Sequence, residues 1–344
     1  MIAPILSRLL RPEPLTVHEA RGVFDALLGS ERSEGERCAL LVALTTRAPH
    51  AREWTALAGE MRRRSRPFRP RGAHRAVDLC GSGGAPKPSF NVSTVAAFVV
   101  AASGTPVIKH GNRSARGPTG SSDLLTALGL PVTTSVAFAE ASFRKYGIAF
   151  LHAPLFHPAT AAMASARQLL GIPTVFNRLG PLSNPAHVPF QVVGWGDRTQ
   201  GRIVVEALRL LGVRRAVTMT SGEGCDEFSP AGPTYLTTWD GRRVRSLTVR
   251  PATYLPSEDR RGPWGPLAPG LAAEETERIL AGGGGARRGS ILLTAGAALW
   301  VSRTAPSFAA GVDRSREVLD SGSAERLLRD LRRLAPRFAR GKGG

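Results

Sequence analysis

The chain has few of the features that would tie it to an oxidising compartment, a membrane or a nucleotide cofactor. Three cysteines, Cys38, Cys80 and Cys225, stand in 344 residues. An odd number with no Cys-x-x-Cys spacing argues against a disulfide framework or a zinc knuckle and fits a reducing cytoplasm. No apolar run reaches the ~18 residues that a membrane helix needs, so no membrane partner is expected. The apolar start, Met1 to Leu10, carries Arg8, is followed by Arg11 and lacks a cleavage site, unlike a secretory leader. Residues 81–86 read Gly-Ser-Gly-Gly-Ala-Pro and lack the third glycine of G-x-G-x-x-G. No acidic residue follows about 20 positions on to hold a ribose hydroxyl, and no Gly-Lys-Ser/Thr is present, so a dinucleotide or P-loop site is disfavoured.

Lysine is almost missing: Lys87, Lys109, Lys145 and Lys342 are all there are, and arginine carries nearly all the basic charge. With 46 Lys plus Arg against 27 Asp plus Glu, the net charge is +19. Such a balance raises nucleic acid as a partner. The basic residues are scattered, however, and binding to a phosphate backbone wants them clustered. The short clusters Arg62-Arg63-Arg64, Arg242-Arg243, Arg260-Arg261 and the tail from Arg326 are expected on solvated helix faces and loops. Nucleic acid is therefore a possible partner but not the favoured one.

What the chain does have is 42% hydrophobic residues in periodic segments, enough for one large domain or two smaller ones. Residues 1 to about 70 read as helices only. Thr16 with Glu19, and Ser33 with Glu36, have capping-box spacing. Val17, Ala20, Phe24, Leu27 and Leu28 recur at helical period, and Trp54, Leu57 and Met61 continue it in a third helix. Pro67 and Pro70 then break the pattern in a linker over 66–71. From Ala76 short apolar runs (76–79, 107–108, 148–151, 191–195, 216–220) alternate with helical segments, which predicts a mostly parallel sheet with crossover helices. Helices over 92–103 and 122–128 end at Gly104 and Gly129 and begin at polar loops. Those loops therefore belong at the C-terminal edge of the sheet, where open α/β folds bind ligands. The helical stretch over 160–179 is expected to rejoin the N-terminal helices. The expected organisation is an α/β protein with a small helical domain (1–70, joined by about 160–185) and a large mostly parallel α/β domain (71–159 and 186–344).

Two polar loops at strand ends suggest a phosphate site. In Gly81-Ser82-Gly83-Gly84 and in Lys109-His110-Gly111-Asn112-Arg113-Ser114, backbone N–H groups at a helix start add to the mobile charge of Lys109. The bland alternative for the first is a tight turn needing glycine for its φ alone. Against that stands the continuation Ser89-Phe90-Asn91-Val92-Ser93-Thr94, whose polar side chains suit phosphate oxygens or a metal's waters. Gly222-Glu223-Gly224-Cys225-Asp226-Glu227 places adjacent carboxylates after a strand, which suits magnesium; an exposed acidic turn is the alternative. Arg167, with Pro173, Asn177 and the turn over 180–185, can clamp a carboxylate, although alone it reads equally as a surface arginine. No Ser/His/Asp constellation is evident. His110 is placed to hydrogen-bond a ligand, and His157, before Pro158, serves equally as a turn residue.

Taken in order, these pieces resemble the anthranilate phosphoribosyltransferases, within the class of nucleoside phosphorylase-like folds. The similarity runs over most of the chain and is carried by Phe90-Asn91-Val92-Ser93-Thr94, the 109–114 loop, His157-Pro158, residues 171–177, Gly180-Pro181-Leu182, Asn184-Pro185 and Asp226-Glu227. The resemblance implies a cytoplasmic homodimer with a hinged cleft that binds phosphoribosyl pyrophosphate with Mg2+ and transfers its phosphoribosyl group to anthranilate, a step of tryptophan biosynthesis. Carried over, phosphoribosyl pyrophosphate falls to Gly81, Gly84, Ser89, Asn91, Ser93, Thr94, Lys109 and Ser121. Anthranilate falls to Gly81, His110, Asn112 and Arg167, and the metal to Ser93, Asp226 and Glu227. No covalent nucleophile or general base is implied. The sequence departs from the family pattern at Ser82, Ala85, Arg116-Gly117 and Thr160. Two alternatives share these residues: a paralogue using another aromatic acceptor, and a catalytically silent basic nucleic-acid-binding protein on the same fold.

Overall fold

The computed structural model describes residues 2–82, 87–114 and 117–339. Its N-terminal part is helical: α1 (Ala3–Leu9), α2 (Val17–Leu28), α3 (Glu34–Thr45) and α4 (Ala51–Arg63). Both capping boxes form. Thr16 Oγ1 accepts from the Glu19 N–H at 3.3 Å while a Glu19 oxygen accepts from the Thr16 N–H at 2.8 Å. Ser33 and Glu36 repeat the arrangement. These bonds satisfy N–H groups that every helix start leaves unpaired. The Trp54 helix is thus the fourth, because α1 carries too short a pattern to be read from periodicity. Val17 is exposed, while Ala20, Phe24 and Leu27 face the core.

The Arg62-Arg63-Arg64 cluster is not wholly a solvated face. Arg62 is buried, and its Nε donates to the Leu182 carbonyl at 2.8 Å and Nη1 to that of Leu211 at 3.3 Å. The sequence expectation fails there because the side chain closes helix α4 onto later segments that local pattern does not reveal.

After the linker, seven strands form one sheet in the order β3-β2-β1-β4-β5-β6-β7. They are β1 (Val77–Cys80), β2 (Val107–Gly111), β3 (Ile148–His152), β4 (Phe190–Gly194), β5 (Arg215–Ser221), β6 (Thr234–Trp239) and β7 (Val244–Val249). The five strands read from the sequence pair in parallel, with Val77 opposite Val107 on one side and Phe190 on the other. The antiparallel pair β6 and β7 was not anticipated. Its turn signal is Asp240-Gly241: Gly241 has φ +93°, and Asp240 Oδ1 accepts from the Arg242 and Arg243 N–H groups.

The remaining helices are α5 (Val92–Ala102), α6 (Ser121–Ala127), α7 (Val136–Tyr146), α8 (Ala153–Phe156), α9 (Ala164–Leu170), α10 (Val175–Leu179), α11 (Gly201–Leu210), α12 (Pro269–Leu280), α13 (Ala286–Val301), α14 (Phe308–Asp320), α15 (Ser323–Leu334) and α16 (Pro336–Ala339). Helix α5 is apolar all round and every residue from Val92 to Ala101 is buried, because it lies between the sheet and helices α13 to α15. One apolar cluster includes α5, α13, the strand interiors and α15. A second joins the N-terminal helices to Met163, Ala166, Leu179, Leu182 and α11. Residues 158–179 pack on α2, α3 and α4. Among the described residues no helix is long and apolar enough to cross a membrane.

Candidate active site

The ends of β1, β2 and β5 point their loops into a cleft of about 320 Å³. On its sheet side it is lined by Gly81, Ser89, Asn91, Ser93, Thr94, Lys109 and Ser121. On the side of the helical segments it is lined by His110, Asn112, His157 and Arg167, with Asp226 and Glu227 at the base of the β5 loop. Every described member of the set read from the sequence therefore meets in one place. Gly84 lies outside the described residues, as do Ala85 and Arg116.

Local geometry explains the meeting. Lys109 points along the sheet's C-terminal edge, where its ammonium donates to the Leu79 carbonyl and, at 3.2 Å, to Ser93 Oγ. Ser93 opens α5, and its backbone N–H donates to Glu227 Oε1 at 3.2 Å. Asn91 ties the α5 start to the facing loop through Nδ2 and the Thr119 carbonyl. Two glycines admit the acidic turn. A Cβ on Gly194 would lie 1.7 Å from the Asp226 carbonyl oxygen, and one on Gly81 would lie 2.8 Å from Asp226 Oδ2. Ser82 Oγ donates to that same carboxylate at 3.1 Å.

Asp226 and Glu227 are both buried. Burial, and then the neighbouring Asp226 charge, push the Glu227 carboxyl well above the usual carboxylate range, and Lys109 only partly offsets them. Glu227 Oε2 has no hydrogen-bond partner among the described residues. Two adjacent carboxylates with an orphaned oxygen are a costly arrangement unless a cation sits against them. Hard oxygen donors from Asp226, Glu227 and the Ser93 hydroxyl fit a magnesium ion, which takes one or two carboxylates and completes its shell with water and phosphate.

Arg167 is the complementary case. It is half-buried on α9, makes no ion pair with any described carboxylate, and bonds only the Asn177 side-chain oxygen, at 3.4 Å. Its guanidinium stands 6.0 Å from the Phe176 ring centre. Burial alone pushes its pKa down. An arginine so placed lacks an anion.

Between Arg167 and the sheet lie two buried imidazoles, His110 and His157, with ring centres 4.9 Å apart. Burial holds His110 well below the ordinary histidine range and brings His157 down to about 4. Both are neutral at pH 7, and the Nε2 atom of each has no partner among the described residues. His157 therefore lines the cleft, beyond any role in the turn before Pro158. Thr160 Oγ1 bonds the His157 carbonyl at 2.7 Å, so its hydroxyl is satisfied within the protein.

Sequence reasoning missed Asp78, buried in β1. Its Oδ1 accepts from the His110 N–H at 3.2 Å and its Oδ2 from Asn184 Nδ2 at 2.9 Å. Burial raises its carboxyl to about 6, against the pull of Lys109 and these bonds. Its signal was a lone acid inside an apolar run. Met61, which also lines the cleft, gave no signal beyond helical periodicity, and Phe176 stood in the 171–177 motif without a site role assigned to it.

Comparison with known proteins agrees with this geometry. The model of the glycosyl transferase family, a/b domain, matches residues 73–325. The anthranilate phosphoribosyltransferase of Lacticaseibacillus paracasei is 36% identical over 324 residues, covering 94% of each chain. That of Syntrophobacter fumaroxidans is 37% identical, covering 96% of this chain and 98% of the relative. The crystal structure of the Thermus thermophilus enzyme superposes with a TM-score of 0.85 at 35% identity, over 96% of this chain and 99% of that one. The Saccharomyces cerevisiae enzyme, solved with phosphoribosyl pyrophosphate and magnesium, has a TM-score of 0.83 at 22% identity over 98% of each chain and shows the shared fold. With the cleft, the acidic turn and the unpaired arginine all in place, the chain belongs to the anthranilate phosphoribosyltransferase family.

Proposed function

We propose that this protein transfers the phosphoribosyl group of phosphoribosyl pyrophosphate to the amine of anthranilate, giving N-(5-phosphoribosyl)anthranilate and pyrophosphate. The observation that carries the acceptor assignment is Arg167: a half-buried guanidinium facing the cleft with no carboxylate of its own. Anthranilate supplies that carboxylate, ortho to the nucleophilic amine, so one bidentate contact both neutralises Arg167 and orients the nitrogen.

On the donor side, Asn91, Ser93, Thr94, Lys109 and Ser121, with Gly81, Gly84 and Ser89 along the first loop, are the groups we assign to phosphoribosyl pyrophosphate. The Thr94 hydroxyl is buried without a partner and so is available to a phosphate oxygen. Asp226, Glu227 and Ser93 would hold magnesium, which supplies charge neutralisation of the diphosphate when bound. The chain's own groups do the rest. Lys109 and the N–H groups at the start of α5 draw negative charge toward the leaving diphosphate as its bond to ribose C1 breaks. The amine nitrogen then forms its bond to C1 and releases a proton. Since an aromatic amine is largely neutral near pH 7, no strong base is required. His110 and His157, neutral and unbonded at Nε2, shape the acceptor end together with Asn112.

We also propose a homodimer. Leu10, Val42, Leu169 and Ile172 are exposed apolar side chains on or beside α1, α3 and α9, three helices that pack together. We propose two bodies, a helical one (1–70 with about 160–185) and an α/β one (71–159 and 186–344), both of which contribute residues to the cleft. A cytoplasmic location suits its three free thiols.

The test of the acceptor assignment compares anthranilate with aniline, which lacks the carboxylate. The unaltered protein should prefer anthranilate by 100-fold or more in kcat/KM, and Arg167→Ala should erase most of that preference while the donor KM moves less than threefold. Equal loss toward both acceptors would assign Arg167 a different role.

A further inference from the structure

Away from the active site, the linker after α4 and the end of α7 enclose a second concavity of about 480 Å³. Its walls carry three guanidiniums, Arg69, Arg71 and Arg144, over a floor made by Phe68 and Phe143. We infer that this groove is a binding site for a condensed phosphate, that is, an anion with two or more linked phosphoryl groups.

The first ground is unpaired charge. Arginines elsewhere in the chain form ion pairs, among them Arg8 with Glu19, Arg209 with Glu206 and Arg314 with Glu317. Among the described residues the side chains of Arg69, Arg71 and Arg144 have neither an ion pair nor a hydrogen bond. One acid borders the groove, Glu140, and although it sits one turn before Arg144 on α7 the two do not pair. Arg69, Arg71 and Arg144 are exposed and line one concavity together, so their like charges repel. A multiply charged anion is what relieves that repulsion.

The second ground is preorganisation. Pro67 and Pro70 fix φ on either side of Arg69. Phe68 is anchored below, its ring edge-on to Phe143 at 6.4 Å and to Phe156 at 5.8 Å, and the Arg66 N–H donates to the Phe156 carbonyl. The backbone that carries Arg69 and Arg71 is therefore already set, so little ordering remains to oppose binding. The field of the groove is also felt by its surroundings: Arg69 helps depress the pKa of His187, after burial and Arg62.

The third ground is shape and donor type. The volume is that of a small-molecule pocket and too small for a protein docking face. Both rings of the floor are buried, at 3% and 5% exposure, so no aromatic face is free to stack a base. What remains is a set of planar N–H forks, which match phosphate oxygens bidentately. Free polyphosphate and the phosphate tail of a nucleotide offer that chemistry equally.

Calorimetric titration with sodium tripolyphosphate, and in parallel with ATP, separates these sources and tests the site. The Arg69→Ala, Arg71→Ala, Arg144→Ala triple variant should lose one equivalent of tripolyphosphate relative to the unaltered protein, and Arg144→Glu alone should weaken that equivalent at least tenfold. The cleft's own binding should persist in both. Equal affinity for ATP would mean that the phosphate chain is all that is read; tighter ATP binding would mean that the nucleoside adds a contact to the same site. Identical stoichiometry and affinity in the unaltered protein and both variants would overturn the inference, as would binding of ATP in the groove without tripolyphosphate.

Discussion

Arg167 lines the cleft without an ion pair to any described carboxylate, whereas Glu227 is buried beside the Asp226 charge with one oxygen that has no partner among the described residues. Replacing Asp226 by Asn and Glu227 by Gln removes buried like charges, so the ligand-free protein should gain a few °C in Tm while magnesium-dependent turnover falls by 10³-fold or more. Magnesium should raise the Tm of the unaltered protein and leave that of the variant unchanged. Differential scanning fluorimetry with and without magnesium reads both effects. His157 gives a prediction with a definite sign. Burial lowers its folded pKa to about 4, with Arg62 adding to the fall and the backbone of Ser183 and Met61 opposing it. The unfolded chain, near 6.5, then binds the proton more readily. Stability from this group is complete above about pH 6.5 and is lost as pH falls toward 4, by roughly 3 kcal/mol in all. Urea midpoints against pH should show that slope, and His157→Gln should reduce it, leaving the part that His110 and His187 contribute with the same sign. Lys109, Arg167 and the acidic pair were legible in the sequence because each stands in a short motif. The roles of Asp78 and Arg62 were not, since their partners are more than a hundred residues away or on another strand.

Elements carry the site through close approaches that only glycine permits. β4 ends at Gly194, against which the Asp226 main chain lies within van der Waals overlap of any Cβ. Gly194→Ala must push the acidic turn away from Ser93, so turnover should fall more than tenfold and the magnesium concentration for half-maximal rate should rise. Gly311, where α14 crosses α13, is equally tight, since its Cβ would sit 2.4 Å from the Gly296 carbonyl oxygen. That crossing is far from the cleft. Gly311→Ala should therefore cost about 1–3 kcal/mol by overpacking, read from denaturant midpoints, with both substrate KM values unchanged. The parallel strands and α5 were visible in the sequence as short apolar runs ended by glycine. The β6–β7 pair escaped because its half-exposed strands alternate weakly, leaving Asp240-Gly241 as the sole marker. The 158–179 helices were recognised by period, but their packing against α3 and α4 follows from tertiary contacts such as Val175 N–H to Thr45 Oγ1.

At the scale of the whole molecule, charge and apolar surface are distributed separately. The net charge of +19 rests on arginines in excess of the 27 acidic residues, and three of those arginines, Arg69, Arg71 and Arg144, line the linker groove. Leu10, Val42, Leu169 and Ile172 expose apolar side chains on or beside α1, α3 and α9. Leu169→Asp together with Leu10→Asp should convert a dimer to a monomer by light scattering, with the monomer's Tm lowered by mass action. The family resemblance was legible over nearly the whole chain because its motifs lie in loops that must meet substrate. The proposed dimer face has no motif, only exposed apolar side chains that periodicity treats like any others. The most direct measurement of the central claim is the fluorescence of anthranilate during incubation of the purified protein with phosphoribosyl pyrophosphate, with and without magnesium. Magnesium-dependent loss of fluorescence matched by one pyrophosphate released per anthranilate consumed is the predicted result. Undiminished fluorescence from a protein that binds the donor with magnesium would contradict it.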